Sequence, residues 1–249
     1  MIKQEAPISK ELLQQVLASL SSESVLIGGQ ALAFWVNHYK VQLPSVLTGA
    51  ISDDADILGT RDDLKAIALK AKGVPEYEPQ HSLSALIGHV TISISEELFV
   101  NVDVLHRVVG IKADKVRDHA SAAELGDVRF RVMHPIDVLI SRTENLASLS
   151  EKQNDEGTAQ LRLAIMVSAQ YIRELSEHPE DGQKHAMKVI ERIVKLAKSG
   201  SGQKCAKQFG IRFLDALPGF AITNENFQKT RWPQIVKELA YLPRSTPDI

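Results

Sequence analysis

Cysteine is nearly missing from this chain. Cys205 is the only one among 249 residues. That excludes an internal disulfide and a cysteine-built zinc site, and it suits a reducing cytoplasm. Long apolar runs are missing too. No stretch of about 18 apolar residues occurs, so no membrane span is expected. The opening "MIKQEAPISKELLQQ" lacks the apolar core of a signal peptide. Neither sign of charge dominates: 29 Lys and Arg stand against 31 Asp and Glu, for a net charge of −2. A protein that is basic throughout is thereby excluded, and any nucleic-acid contact has to come from a local patch. Internal repeats and low-complexity tracts are also absent. What is present is ordinary for a globular protein, with 44% hydrophobic and 24% charged residues. The length suits one large domain or two modest ones.

The order of elements is legible from periodicity. "ISKELLQQVLASL" is amphipathic, with Leu12, Leu13, Val16, Leu17 and Leu20 on one side of a helix and Ser9 as its N-cap. "SVLI" reads as a short buried strand running into Gly28-Gly29, and "QALAFWVNHY" as a buried helix with Phe34 and Trp35 in the core. Residues 41–52 read as loop and strand entry, broken by Pro44 and Gly49, and Asp54 to Leu58 as strand. Thr60 and Asp63 have capping-box spacing at the start of the next helix. Three alternating runs follow: Val90, Ile92, Ile94; Val100, Val102, Val104; and Val128, Phe130, Val132. Pro135 falls where a first helical turn belongs. The polar "SEKQNDEGT" marks a boundary, after which helices are expected at about 158–176, 182–199, 203–217 and 225–241. The expected architecture is α/β (α+β), with residues 1–150 as a mixed α/β domain and 151–249 as a helical one.

The chemistry concentrates in "SDDADILG". Asp53, Asp54 and Asp56 crowd into four positions. On a strand, residues two apart point the same way, so Asp54 and Asp56 share a face while Ala55 and Ile57 face the core. Adjacent carboxylates repel unless something positive lies between them. Hard oxygen ligands suit magnesium or manganese. A third acid, Asp103, stands opposite Val100, Val102 and Val104 in "LFVNVDVLH". Gly28-Gly29, between strand and helix, lets a backbone approach a ligand closely, and the helix N-terminus suits phosphate. Taken singly, each feature has a plainer reading: a tight turn for the glycines, a solvated loop or edge strand for "DDAD", an arginine partner for Asp103. Together they make what two-metal phosphoryl or nucleotidyl transfer requires.

These segments, "LIGGQALAFWV", "SDDADILG" and "VNVDVLH", resemble the glycine pair, the paired-acid strand and the third aspartate of the DNA polymerase β-type nucleotidyltransferase superfamily. The gap between glycines and acids, and "VMHPIDVLISRTENL", resemble AbiEii/AbiGii-type toxin nucleotidyltransferases. The resemblance spans about residues 24–165 and is specific at about a dozen positions. It implies a polymerase β-like mixed sheet carrying a C-terminal helical bundle. It implies Gly28 and Gly29 on the triphosphate, Asp54 and Asp56 on both metals, and Asp103 on the catalytic metal beside the attacking hydroxyl. Gln30 replaces the usual small phosphate-touching residue, Ala55 replaces the usual larger aliphatic, and Arg142 replaces the usual lysine after the core. Asn145, three residues on, shares Arg142's helix face; a surface ion pair is the plainer role for Arg142.

The implied activity is transfer of NMP from an NTP to an acceptor hydroxyl, with Mg2+ or Mn2+. RNA, tRNA first, is the leading acceptor class; a protein side chain or a small-molecule antibiotic are the alternatives. A toxin with a cognate antitoxin protein, or a phage-defence role, is the implied setting. A non-catalytic nucleotide-binding, antitoxin-like module is the rival from another class. Lys184, Lys188, Arg192, Lys195, Lys198, Lys204, Lys207 and Arg212 form a basic series, opposed in that window by Glu191. Lys188, Arg192 and Lys195 are spaced to share a helix face, as a solvated surface or as an RNA contact. No aromatics interleave with the series, so base stacking is not indicated. His89 and His106 lie near expected strand ends, and His134 stands where it can cap the helix at Pro135.

Overall fold

The structure is a computed structural model that describes residues 4–42, 54–79 and 83–240. Asp53, the expected strand entry at 43–52 and the last residue of the 225–241 helix lie outside the described residues. The chain forms two compact units: Met1–Phe34 with Ile51–Val138, and Trp35–Ala50 with Leu139–Ile249. The divisions fall inside two helices, whereas the expected boundary lies in the polar stretch near residue 150.

The first unit is built on one mixed sheet. Its strands among the described residues are β1 (Gln4–Glu5), β2 (Val25–Ile27), β3 (Ala55–Leu58), β4 (Val74–Tyr77), β5 (Leu86–Ser93), β6 (Leu98–Leu105), β7 (Ser121–Leu125) and β8 (Val128–Val132). They lie in the order β4-β5-β6-β3-β2-β8-β7. β1 runs parallel to β6 at Leu98 and Phe99, and β3 runs parallel to it at Val102 to Leu105. One edge of β6 is thus shared by two strands in succession. Along β6, Val100, Val102 and Val104 are buried at 1% exposure or less, while Asn101 and Asp103 on the other face are half-buried. This is the expected period-two pattern of a sheet with one apolar face.

Helices α1 (Lys10–Leu17) and α3 (Arg61–Ala71) cover the apolar side. Ser9 accepts the Leu12 N–H at 3.2 Å, as its N-cap position requires. Thr60 and Asp63 close the capping box of α3. Asp63 is buried at 3% exposure and accepts from Ser21 N at 3.0 Å and Thr60 N at 2.8 Å. Burial opposes its charge, but these donors, with the Ser24 and Thr60 hydroxyls, hold its carboxyl below the usual range. Helix α4 (Ala113–His119) and strands β1, β4 and β7 carry too weak a periodicity to be read from sequence.

Helix α2 (Gly28–His38) begins in the first unit and continues into the second, as does α5 (Pro135–Ser148). Phe34, expected in the core, is half-buried and meets Phe130 edge-on at 5.6 Å. Trp35 is buried and stacks on Tyr39 at 5.7 Å. The rest of the second unit is helical among its described residues: α6 (Asp155–Glu177), α7 (Gly182–Lys198), α8 (Gly200–Phe209) and α9 (Trp232–Ala240), with short turns of other helix types between. The expected 203–217 helix is two pieces. Gly210 adopts φ +61° and ends α8, and a 3-10 turn follows at Phe213–Ala216. "SEKQNDEGT" is not an open linker. Its Asn154 accepts the Gly157 N–H at 2.8 Å and starts α6. Among the described residues, no helix is long and apolar enough to cross a membrane.

Candidate functional site

The sheet gathers the predicted acids on its polar face. Asp56 on β3 and Asp103 on β6 are direct partners in adjacent parallel strands. Partners across a sheet project to the same side. His89 on β5 is the antiparallel partner of Asp103, and Glu76 on β4 is the partner of His89. One row across four strands therefore reads Glu76, His89, Asp103, Asp56. His89 Nε2 lies 3.6 Å from Glu76 Oε2. His89 is within β5, not near a strand end as expected. His106 is exposed and within hydrogen-bond distance of the Ser84 carbonyl at 3.0 Å.

Gly28 joins this row from the side. Ile27 on β2 pairs with Asp56, and the next residue, Gly28, turns from strand to helix at φ +66°. A Cβ placed on Gly28 would stand 1.8 Å from Asp56 Oδ2 and 2.6 Å from its Cγ. Only a residue without a side chain fits there, for two reasons: the left-handed backbone and the carboxylate pressed against it. The glycine pair and the acid strand are thus one structural feature. Gly29 is buried and Gln30 half-buried in the first turn of α2, whose N–H groups lack intrahelical acceptors. The positive end of that helix favours the negative charge placed beside it.

Asp54 stands one residue ahead of β3. Its carboxyl is pushed up to about 7, first by burial, then by Glu5 through charge and a hydrogen bond, then by Asp56 and Asp103. That of Asp103 is pushed up to about 6 by burial and by Asp56, with His89 working the other way and Glu5 adding to the rise. Mutual repulsion of this kind is relieved by a proton or by a cation.

Among the described residues, no three acidic, histidine or cysteine side chains form a group placed to hold a metal ion. Convergence of Asp54, Asp56 and Asp103 on one or two ions, the arrangement expected from the sequence, is therefore not shown among the described residues. The donor chemistry still fits a hard divalent cation: carboxylate oxygens only, on neighbouring strands, at a raised electrostatic cost. Magnesium characteristically takes one or two carboxylates and completes its shell with water and substrate phosphates.

Arg142 lies on α5 in the other unit. It is 7% exposed and donates from Nη1 to Gln160 Oε1 at 2.8 Å, and Gln160 in turn donates to Glu156 at 2.8 Å. Arg142 is thus part of a buried hydrogen-bond chain within the helical unit, and the exposed ion pair we had weighed for it does not describe this setting. On α7, Lys188 and Lys195 are exposed and Arg192 is half-buried. Glu191 shares their face and is gripped by Arg231 at 2.5 and 2.6 Å. Arg231 also reaches Glu238 at 3.1 Å, which receives Lys198 at 3.2 Å. Of the basic series, Lys198 is thus paired with Glu238, while Glu191 is taken by Arg231 from outside the series. His134 accepts the Ile136 N–H at 3.2 Å and so caps α5. Cys205 is buried, and its thiol is pushed up to about 12, chiefly by burial.

Three polar residues on the acidic face escaped sequence reasoning: Glu5, Thr91 and Asn101. Asn101 is two residues before Asp103, and Thr91 two after His89, so period two was a usable signal for both. Glu5 sits in a two-residue strand and carried none. No protein-family model matches the chain, and comparison with curated proteins finds no match.

Proposed function

We propose that this chain is a metal-dependent nucleotidyltransferase of polymerase β type. The observation that supports it is the continuity of glycine turn, paired-acid strand and third acid: Gly28 against Asp56, and Asp56 beside Asp103. In this reading the first turn of α2, from Gly28 to Gln30, receives the nucleotide's phosphates through backbone N–H groups. Asp54, Asp56 and Asp103 hold Mg2+ or Mn2+, which supplies charge neutralisation at the phosphates and at the attacking oxygen. The acceptor oxygen forms a bond to the α-phosphorus as the bond to the bridging oxygen breaks, and pyrophosphate leaves. Asp103, beside Asp56 on the adjacent strand, takes the hydroxyl proton. The protein's contribution is position and electrostatics. RNA, tRNA first, is the acceptor class we favour, through Lys188, Arg192 and Lys195. A toxin held by an antitoxin protein is the setting that follows.

A second reading has one observation behind it. Gln30 and Ala55, where the resemblance implies a small phosphate-touching residue and a larger aliphatic, leave room for a nucleotide-binding module without transfer. One experiment separates the two. Purified protein, Mg2+ and α-labelled NTPs are added to a cell extract, with Asp56→Asn as control. Label that enters macromolecules only with unaltered protein supports transfer, and its loss to ribonuclease or to protease names the acceptor class. Magnesium-dependent NTP binding without labelling supports the module.

A further inference from the structure

The row on the polar face has a direction. β2, β3, β6, β5 and β4 lie side by side in that order. Gly28 at the end of β2 is therefore followed across the sheet by Asp56, Asp103, His89 and Glu76. Neighbouring strands are about 4.8 Å apart, which sets His89 about 5 Å beyond Asp103 and about 10 Å beyond Asp56. In an in-line displacement the attacking oxygen and the leaving group lie on opposite sides of the phosphorus. With the pyrophosphate at Gly28 and the α-phosphate over Asp56 and Asp103, the acceptor enters over β6 and β5. Beyond Asp103, the next side chain of the row is His89.

His89 differs in kind from the carboxylates around it. A neutral imidazole offers one donor and one acceptor, which is what a hydroxyl needs of a partner. The His89 side chain is 31% exposed, and its Nε2 stands 3.6 Å from Glu76 Oε2, longer than a hydrogen bond. Thr91, two residues on and on the same face, already donates its hydroxyl to Asn101 Oδ1 at 3.0 Å. Neither β4 nor β5 contains a lysine or an arginine. A phosphate of the acceptor finds no cation on these two strands, whereas a hydroxyl finds His89.

We propose that His89 is an acceptor-binding residue that hydrogen-bonds the hydroxyl next to the attacking one, so that the site takes the vicinal diol of a ribose end and discriminates against a deoxyribose end. The inference rests on the nucleotidyltransferase reading with an RNA acceptor. The two hydroxyls of one ribose are divided between neighbouring strands. One loses its proton to Asp103 and forms the bond to phosphorus. The other keeps its proton and its bonds, and its hydrogen bond to His89 fixes the sugar. A 2′-hydroxyl is the group by which proteins tell RNA from DNA.

The test is transfer from α-labelled NTPs, with Mg2+, to total tRNA whose terminal adenosine is intact or replaced by its 2′-deoxy or 3′-deoxy form. For the unaltered protein, one deoxy end lacks the attacking hydroxyl and is expected to take no label. The other lacks the hydroxyl that His89 holds and is expected to be labelled about tenfold more slowly than the intact end, the worth of one hydrogen bond. His89→Ala is expected to slow transfer to the intact end about tenfold and to leave the slower deoxy end at its former rate. Its Mg2+-dependent NTP binding, by calorimetry, and its melting temperature are expected to be unchanged. His89→Gln keeps a donor and an acceptor and is expected to stay within about threefold of the unaltered protein. Unchanged transfer to the intact end by His89→Ala overturns the inference and leaves the wider reading standing. So does an equal slowing on both accepting ends, because the lost contact would then not be to that hydroxyl. No labelling of tRNA by the unaltered protein overturns it too, and the nucleotidyltransferase reading falls with it only if nothing in a cell extract takes the label.

Discussion

The two units treat charge in opposite ways. On the polar face of the sheet, like charges face one another: Asp56 and Glu5 stand near Asp54 and Asp103 and, with burial, raise the basicity of those two. In the helical unit, opposite charges meet. Arg231 takes Glu191 and Glu238, and Lys198 takes Glu238. Arrangements of the second kind hold a fold together or cost it little. The first kind costs stability, which a fold bears at a functional site. Asp63 sharpens the contrast within the first unit. It is more buried than any of the acidic group, but donors surround it and its carboxyl is lowered.

The largest expected effect comes from breaking the acidic group one member at a time. Asp103→Asn is expected to reduce nucleotidyl transfer by about 10²–10³ while leaving Mg2+-dependent NTP binding largely intact. Asp56→Asn, beside Gly28, is expected to lose both. Calorimetry of NTP binding and a transfer assay on the labelled acceptor check this. Full transfer by Asp103→Asn would mean that the third acid is wrongly named.

Gly28→Ala comes next. The added methyl group meets the Asp56 carboxylate at 1.8 Å and the backbone is left-handed at φ +66°. A loss of about 2 kcal/mol in unfolding free energy is expected, together with loss of cation binding. Gly200→Ala, where an added Cβ has nothing within 4 Å, is the control and should be close to neutral. Denaturant titration measures both. Normal stability in Gly28→Ala would dissolve the link between glycine turn and acid strand.

Charge reversal in the helical unit should do less. Lys188, Arg192 and Lys195 changed together to glutamate are expected to weaken RNA acceptor binding about tenfold at low salt, with the difference shrinking as salt rises. Binding that is unchanged at every salt concentration would leave the α7 face as ordinary solvated surface.

The smallest effect is on stability against pH, and its sign differs between the two kinds of acid. The folded values of Asp54 and Asp103 lie at about 7 and 6, above the ordinary 3.8. Their contribution is fully present below about 4 and is lost as pH rises through 6 to 7. The folded value of Asp63 is lowered, so its contribution is present above the ordinary value and is lost as pH falls through the lowered one. The metal-free protein is therefore expected to be most stable near pH 4, with the loss spread between about pH 4 and 7. It should lose on the order of 1 kcal/mol towards pH 8 once solvent screening is allowed for. Asp54→Asn should flatten that alkaline limb, and Mg2+ should restore stability there. An alkaline limb that Asp54→Asn leaves unaltered would remove the acidic group from the account.

Much of this was legible before any coordinates. Period two placed Asp56 away from the core and Asp103 opposite its valines, because alternation is a local property of a strand, whereas Asp54, read as part of that strand, stands one residue ahead of β3. Ser9, Thr60 with Asp63, and Pro135 marked helix starts, since a cap is made by residues three apart. The choice of residue at Gly28 was also visible, though not its reason. Tertiary structure alone decided what stands beside what. It paired Asp56 with Asp103 across 47 positions of sequence and set His89 opposite Asp103. It brought Glu5, 49 positions before Asp54, to the same edge of β6 that β3 occupies. It buried Arg142 against Gln160 of the helical unit, and it paired Lys198 of the basic series with Glu238. Which strands pair, and so which side chains meet, is set by contacts between segments distant in sequence, whereas the alternation along each strand is local.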